Sequence, residues 1–226
     1  MNINNKYHSE HYNAFQENLS SNEDWPGNNI KAWWNYVTNN APSNLPEKRL
    51  SRYELKKLCQ NNKYSAEECM GSVMAWGGQN RKHGQTLFSR KDEIIPIVQN
   101  MRNGHLDHIS AYKNFYEIWK QNKPLGMGAA YFTKLIFFCE PSHEGFIMDQ
   151  WTSKSTNLIL GRNVIQLTNN TVNKNNDHIT YDTYCKFVQE IAKDLKESAE
   201  YIEIGMFSKG GRTKSAWRQY VVDNWE

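Results

Sequence analysis

Residues 123–151 read KPLGMGAAYFTKLIFFCEPSHEGFIMDQW and divide into a glycine turn, an apolar helix, a loop and an aspartate. Gly126 and Gly128 flank Met127, so the backbone can turn tightly and approach another group closely. The helix that follows directs its free N–H groups back at the turn, which suits a phosphate. Met127 between the glycines is expected to anchor the turn in the core. A dinucleotide-binding loop would need a preceding strand and a third glycine, but this turn follows the polar helix end Lys120-Gln-Asn-Lys123.

The distance from Gly128 to Asp149 accommodates one short helix and a return of the chain. Phe146-Ile-Met-Asp149 reads as a buried extended entry to a helix capped by Asp149. An aspartate in that place is commonly nothing more than a cap, and only the glycine turn ahead of it suggests chemistry.

Outward from this segment the signals are helical. Ile30, Trp33, Trp34 and Val37 recur at helical spacing, and Ser51 with Glu54 and Ser65 with Glu68 form two capping boxes. The second of these helices should end at Gly77-Gly78, where the chain can turn left-handed. Further helices are expected over residues 84–101, kinked at Pro96, over 107–121, and through Tyr181, Tyr184, Phe187, Val188, Ile191 and Leu195. Residues 161–177, rich in Asn and Thr, read as a loop. The pattern predicts an all-α protein of about eight to ten helices in one compact unit. Residues 1–50 would form an N-terminal helical extension, 65–160 the central part and 178–226 the C-terminal helices.

Composition narrows the function. With 8 Trp and 12 Tyr the core rests on large rings, and a formal charge of +3 excludes a histone-like binder while allowing a basic face. Cys59, Cys69, Cys139 and Cys185 include no CxxC pair, so neither zinc nor an iron–sulfur cluster finds its ligands, and no cofactor is expected. His105-Leu-Asp-His108 and His143-Glu144 read as surface. The N-terminal residues lack the apolar core of a signal peptide, and no stretch reaches the roughly 20 apolar residues of a membrane span. A cytoplasmic location and no membrane partner are the expectations.

The central segment resembles the helix-hairpin-helix DNA glycosylase superfamily, where a Leu-Pro-Gly-Val/Ile-Gly turn, a helix and a Val/Ile-Asp turn follow in this order. Within it the chain is most similar to the 8-oxoguanine DNA glycosylase branch. The short bacterial 8-oxoguanine-glycosylase-like proteins carry segments that appear here as Ala75-Trp76-Gly77, Tyr131-Phe-Thr-Lys134 and Ile147-Met-Asp149. The resemblance covers residues 65–160 and, more faintly, 178–220.

It implies a two-lobed helical bundle with the active site in a cleft, and a monomer acting on double-stranded DNA that contains a damaged or modified base. The base would be flipped out and its N-glycosidic bond cut, with Asp149 as the central carboxylate. Gly126, Met127 and Gly128 would hold the DNA backbone. Bifunctional members carry a nucleophilic lysine two residues after the second glycine, where this chain has Ala130. Lys134 lies one helical turn further on the same face, in apolar surroundings that would desolvate an amine; a lysine snorkelling at the core's edge fits that position equally. The resemblance also implies a duplex wedge at Gln79, Asn80 and Arg81, a base-edge contact at Glu203 and a stacking ring at Phe207. The family usually has an amide at the Glu203 position, which leaves room for another base, including a bulky phage modification removed in host defence. Lys209, Arg212, Lys214 and Arg218 read as a basic tail. Two other classes stay open: a non-catalytic hairpin DNA-binding protein, and a helical interaction protein with no DNA affinity.

Overall fold

The computed structural model describes residues 6–20, 26–121, 123–209, 212 and 214–225. These form twelve helices: α1 (Ser9–Asn18), α2 (Ile30–Thr38), α3 (Arg52–Gln60), α4 (Ala66–Trp76), α5 (Arg81–Phe88), α6 (Lys91–Arg102), α7 (His108–Lys120), α8 (Ala129–Cys139), α9 (Gln150–Leu160), α10 (His178–Leu195), α11 (Ala199–Phe207) and α12 (Ala216–Asn224). Residue contacts divide the chain into two compact units, Met1–Glu23 with Phe146–Glu226, and Asp24–Gly145. The extension expected over residues 1–50 is therefore shared, with α1 in the first unit and α2 in the second. None of the helices among the described residues is long and apolar enough to cross a membrane.

In the unit Asp24–Gly145, α4 is the central element, buried from Cys69 to Trp76 and packed by α2, α3, α6 and α8. Its start is set locally: the Ser65 hydroxyl accepts from the Glu68 N–H and the Glu68 carboxylate accepts from the Ser65 N–H. The Ser51 and Glu54 box opens α3 in the same way, satisfying N–H groups that a bare helix end leaves orphaned. Phe132 of α8 is fully buried, with the rings of Tyr112, Phe115 and Trp119 at 5.3, 5.7 and 5.4 Å. That aromatic cluster ties α7 to α8 and fixes the turn between them.

The expected helix over 84–101 is interrupted at Ser89-Arg90 rather than kinked at Pro96. Arg90 makes a two-pronged contact with Glu93 at 2.7 Å and donates to the carbonyls of Lys123 and Pro124 at 3.1 and 3.3 Å. The break thus places a guanidinium against the chain entering the glycine turn. Pro96 then lies inside α6 without ending it.

In the other unit α9 is buried from Thr152 to Ile159 and is covered by α1, α11 and α12. Phe15 of α1 meets Trp217 of α12 edge to face at 5.0 Å. The Trp217 indole N–H donates to Ser155 Oγ at 3.0 Å, and that hydroxyl donates to the Met206 carbonyl at 2.8 Å, so one buried chain of hydrogen bonds joins α12, α9 and α11. Residues 161–177 are more ordered than a plain loop. Leu167–Thr168 (β1) pairs antiparallel with Thr171–Val172 (β2) across Asn169-Asn170, both at positive φ, the conformation a two-residue hairpin requires. Asn157 and Asn176, nearly fully buried, bind the backbone of residues 164–166 and 173 and brace the segment.

Gly71 shows how tightly α4 is held. A Cβ there would lie 1.9 Å from Cζ3 of Trp34, within a core that cannot retreat. Helix propensity favours alanine over glycine by about 1 kcal/mol. Overpacking costs about 1–3 kcal/mol or more, so Gly71→Ala is expected to lower stability in urea unfolding, whereas a gain would overturn this packing.

Candidate active site

The hairpin residues are built within the unit Asp24–Gly145. Leu125 and Met127 are buried, as expected of anchors. Gly126 has φ +76°, and a Cβ there would meet the backbone of His83 at 2.3 Å and of Leu87 at 2.7 Å, so only glycine lets the turn lie against α5. Gly128 opens α8 with no side-chain cap. Its carbonyl accepts the N–H groups of Tyr131 and Phe132, so the earlier N–H groups at this helix start are not bonded back to it.

The 77–84 segment is held by the same turn. Gln79 is 3% exposed; its amide donates to the Gly126 carbonyl at 2.8 Å, and its own carbonyl accepts the Trp33 indole N–H at 2.6 Å. Of the three residues read as the wedge, Gln79 therefore braces the hairpin from inside. Asn80 and Arg81 are exposed. Asn80 caps α5 by accepting from the His83 N–H at 2.9 Å, and the Arg81 guanidinium lies 5.0 Å from the ring of Tyr36. The left-handed residue is Gly78 at φ +72°, while Gly77 is right-handed. Gly77 is small for a different reason: a Cβ there would stand 3.0 Å from the Tyr131 ring and 3.2 Å from the Lys134 side chain.

Lys134 is half-buried on α8. Its ammonium donates to the carbonyl of Ala130 at 3.1 Å and sits 5.4 Å from the centre of the Tyr131 ring. The amine thus reaches back one turn to the level of Ala130. The Tyr131 hydroxyl donates to the Gly77 carbonyl at 3.3 Å, and burial pushes its pKa up to about 12, so it stays a neutral donor at physiological pH.

Asp149 belongs to the other unit and stands at the head of α9, 8% exposed. Its Oδ1 accepts the N–H groups of Trp151 and Thr152 at 2.8 and 3.1 Å, and its own N–H donates to Thr152 Oγ1 at 2.9 Å. The cap is therefore real, and it fixes the carboxyl plane through one oxygen. No hydrogen bond from a described residue falls on Oδ2. The approach is held by two buried tyrosines: the Tyr181 hydroxyl donates to the Phe146 carbonyl at 3.0 Å, and that of Tyr184 to the Ile147 carbonyl at 2.7 Å. Burial, and then the negative charge of Glu203, raise the Tyr184 hydroxyl well above its ordinary range.

Asp149, Glu203 and Phe207 thus fall in one unit, with Glu203 and Asp149 both acting on Tyr184. Glu203 is 1% exposed and faces the interior, whereas Phe207, last residue of α11, keeps part of its ring at the surface. Lys209, Arg212 and Lys214 are exposed as a basic tail should be. Arg218 departs from that reading, because it is 5% exposed and its guanidinium donates to the carbonyls of Phe207 and, at 2.7 Å, Ser208. A planar cation with five donors finds in those carbonyls partners that solvent would otherwise supply.

The Arg218 guanidinium also lies 3.8 Å from the Trp151 ring and 5.2 Å from that of Phe207. Burial brings its pKa down to about 10, opposed by the charge of Asp149, so it remains a cation near neutrality. Lys154 places a second ammonium 4.9 Å from the Trp151 ring and 5.7 Å from that of Trp225, its pKa lowered by burial and then by Arg218. Trp151, Lys154 and Tyr184 carry no motif; in the sequence Trp151 stands out only by its adjacency to Asp149 and Tyr184 only as part of a helical period. Lys154 also edges a groove of about 690 Å³ lined by the amides of Asn163, Gln166, Asn169, Asn170 and Asn173.

No curated protein and no solved structure matches the chain. One family does, that described as "putative 8-oxoguanine DNA glycosylase OGG-like protein", over residues 20–207. The matched span runs from before α2 to the last residue of α11 and includes the hairpin, Lys134, Asp149, Glu203 and Phe207, while Arg218 lies beyond it. With most of its length matched, and with a helical structure to agree, the chain belongs to this family of OGG-like, DNA-glycosylase-type proteins.

Proposed function

We propose that the chain takes a damaged or modified base out of duplex DNA and hydrolyses its N-glycosidic bond, with Asp149 as the central carboxylate. The observation that carries this reading is the state of Asp149: nearly buried, fixed through Oδ1, and with Oδ2 free of hydrogen bonds from described residues. A carboxylate held this way stabilises the cationic sugar that develops as the bond to the base breaks, and accepts a proton from the attacking water. Fixing one oxygen in advance removes the reorganisation that an exposed carboxylate would need.

The other residues take supporting roles. The helix-hairpin-helix turn Gly126-Met127-Gly128 presents N–H groups at the start of α8 to a DNA phosphate. Phe207 stacks on the extruded base. Asn80 and Arg81, exposed at the head of α5, fill the space the base leaves in the duplex, with Gln79 holding them against the hairpin. Glu203 acts from behind the surface through Tyr184. Lys134 supplies a second activity: its amine, once deprotonated, attacks C1′ of the abasic sugar left by hydrolysis, water is lost to give an imine, and the imine permits elimination of the 3′ phosphate. The short reach to Ala130 favours this, since it brings the amine to the level where such a lysine is expected.

Three expectations test the reading. Asparagine keeps an acceptor for the Trp151 and Thr152 N–H groups, so Asp149→Asn should fold and bind duplex normally while single-turnover base release falls about 10²–10⁴-fold. Unchanged release, measured across oxidised, alkylated, deaminated and bulky modified bases, would overturn the assignment. Borohydride should trap a protein–DNA adduct that Lys134→Ala loses and Lys154→Ala keeps; absence of an adduct with an active substrate would make the enzyme a simple hydrolase. Stacking is indifferent to base-edge chemistry and is worth about 1–3 kcal/mol, so Phe207→Ala should weaken excision of all substrates alike. A change in their ranking instead would give Phe207 a different role.

A further inference from the structure

We propose that Arg218 is a positioning residue that ties the Asp149 cap to the Phe207 end of α11. The inference rests on the glycosylase reading of Asp149 and Phe207, but the residue lies outside the matched family span and no motif announces it. Its two halves do different things. The edge of the guanidinium donates to the carbonyls of Phe207 and Ser208, just where Ser208 turns to φ +54° and ends the helix. Carbonyls at a helix end bear partial negative charge and have lost their partners, so a buried cation is favoured there.

The flat face of the guanidinium rests on Trp151 at 3.8 Å. The backbone N–H of Trp151 in turn donates to Asp149 Oδ1 at 2.8 Å. Moving Trp151 therefore moves the bond that orients the carboxylate. Among the described residues the neighbouring charges are Asp149, which acts on the guanidinium, Lys154, 4.9 Å from the Trp151 ring, and Glu203, buried on α11. Arg218 thus connects Phe207 to Asp149 through hydrogen bonding, ring contact and charge. A lysine would keep the charge and lose the planar group over Trp151, so the two parts can be separated.

The test compares Arg218→Ala and Arg218→Lys in the full chain. With saturating protein, single-turnover excision by Arg218→Ala should fall about tenfold or more while duplex affinity changes less than about twofold, the pattern of a lost reaction-step interaction. Added guanidinium ion should restore part of that rate, and urea, its neutral isostere, should not. Arg218→Lys should be impaired and insensitive to guanidinium. The Trp151 backbone amide resonance, reporting its bond to Asp149, should shift in Arg218→Lys. Wild-type excision rate in either variant, rescue by urea as good as by guanidinium, or an unmoved Trp151 resonance would overturn the proposal. If Arg218→Ala does not fold, the lysine variant decides. If the wild-type protein excises no base, the glycosylase reading fails and the resonance alone decides the positioning role.

Discussion

The carboxylate of Asp149 holds the first turn of α9 and is at the same time the group on which the proposed chemistry depends. A helix that starts inside a protein brings N–H groups that water cannot reach, and leaving one unsatisfied costs about 1–3 kcal/mol. Oδ1 satisfies two of them, and Thr152 returns a bond to the Asp149 N–H. Because capping needs one oxygen, the other is left for different work. The cap engages one oxygen, the chemistry proposed for the residue falls to the other, and the stability of α9 holds the carboxylate in its orientation.

The surroundings of this aspartate are polar and largely buried. Tyr181 and Tyr184 bind the carbonyls of the extended approach, so the residues leading into the cap are fixed by hydrogen bonds rather than by regular structure. Beside them a cation–aromatic–cation arrangement of Lys154, Trp151 and Arg218 gathers positive charge where burial disfavours it. Buried charge of this kind is a poor investment for stability alone, since well-packed apolar groups serve that purpose as well. Its charge is felt by the Asp149 carboxylate, which opposes the effect of burial on Arg218.

In the unit that carries the hairpin the governing constraint is close approach at glycines, to backbone in one place and to large side chains in two. Gly126 lies on α5, Gly77 makes room for Tyr131 and Lys134, and Gly71 makes room for Trp34. Gln79 then joins the hairpin carbonyl to the segment bearing Asn80 and Arg81. The turn and the exposed polar segment are consequently one braced piece.

Local physics made much of this legible in the sequence. The capping boxes at Ser51 and Ser65, the glycine turn at 126–128 and the extended entry to Asp149 depend on residues a few positions apart, and each lies where its spacing placed it, whereas the period over 84–101 hid the break at Ser89-Arg90. The small hairpin at Asn169-Asn170 was equally local, yet the polar composition of 161–177 hid it. Tertiary structure alone decided the rest, because those contacts join residues far apart in the chain. Nothing around Arg218 in the sequence distinguishes it from Lys209 or Lys214; it is buried because Trp151 offers a ring and the end of α11 offers two carbonyls. Gln79 likewise resembles its exposed neighbours until Gly126 presents a carbonyl to it. Side-chain type determines what a residue can bond, and only the folded chain determines which partners come within reach.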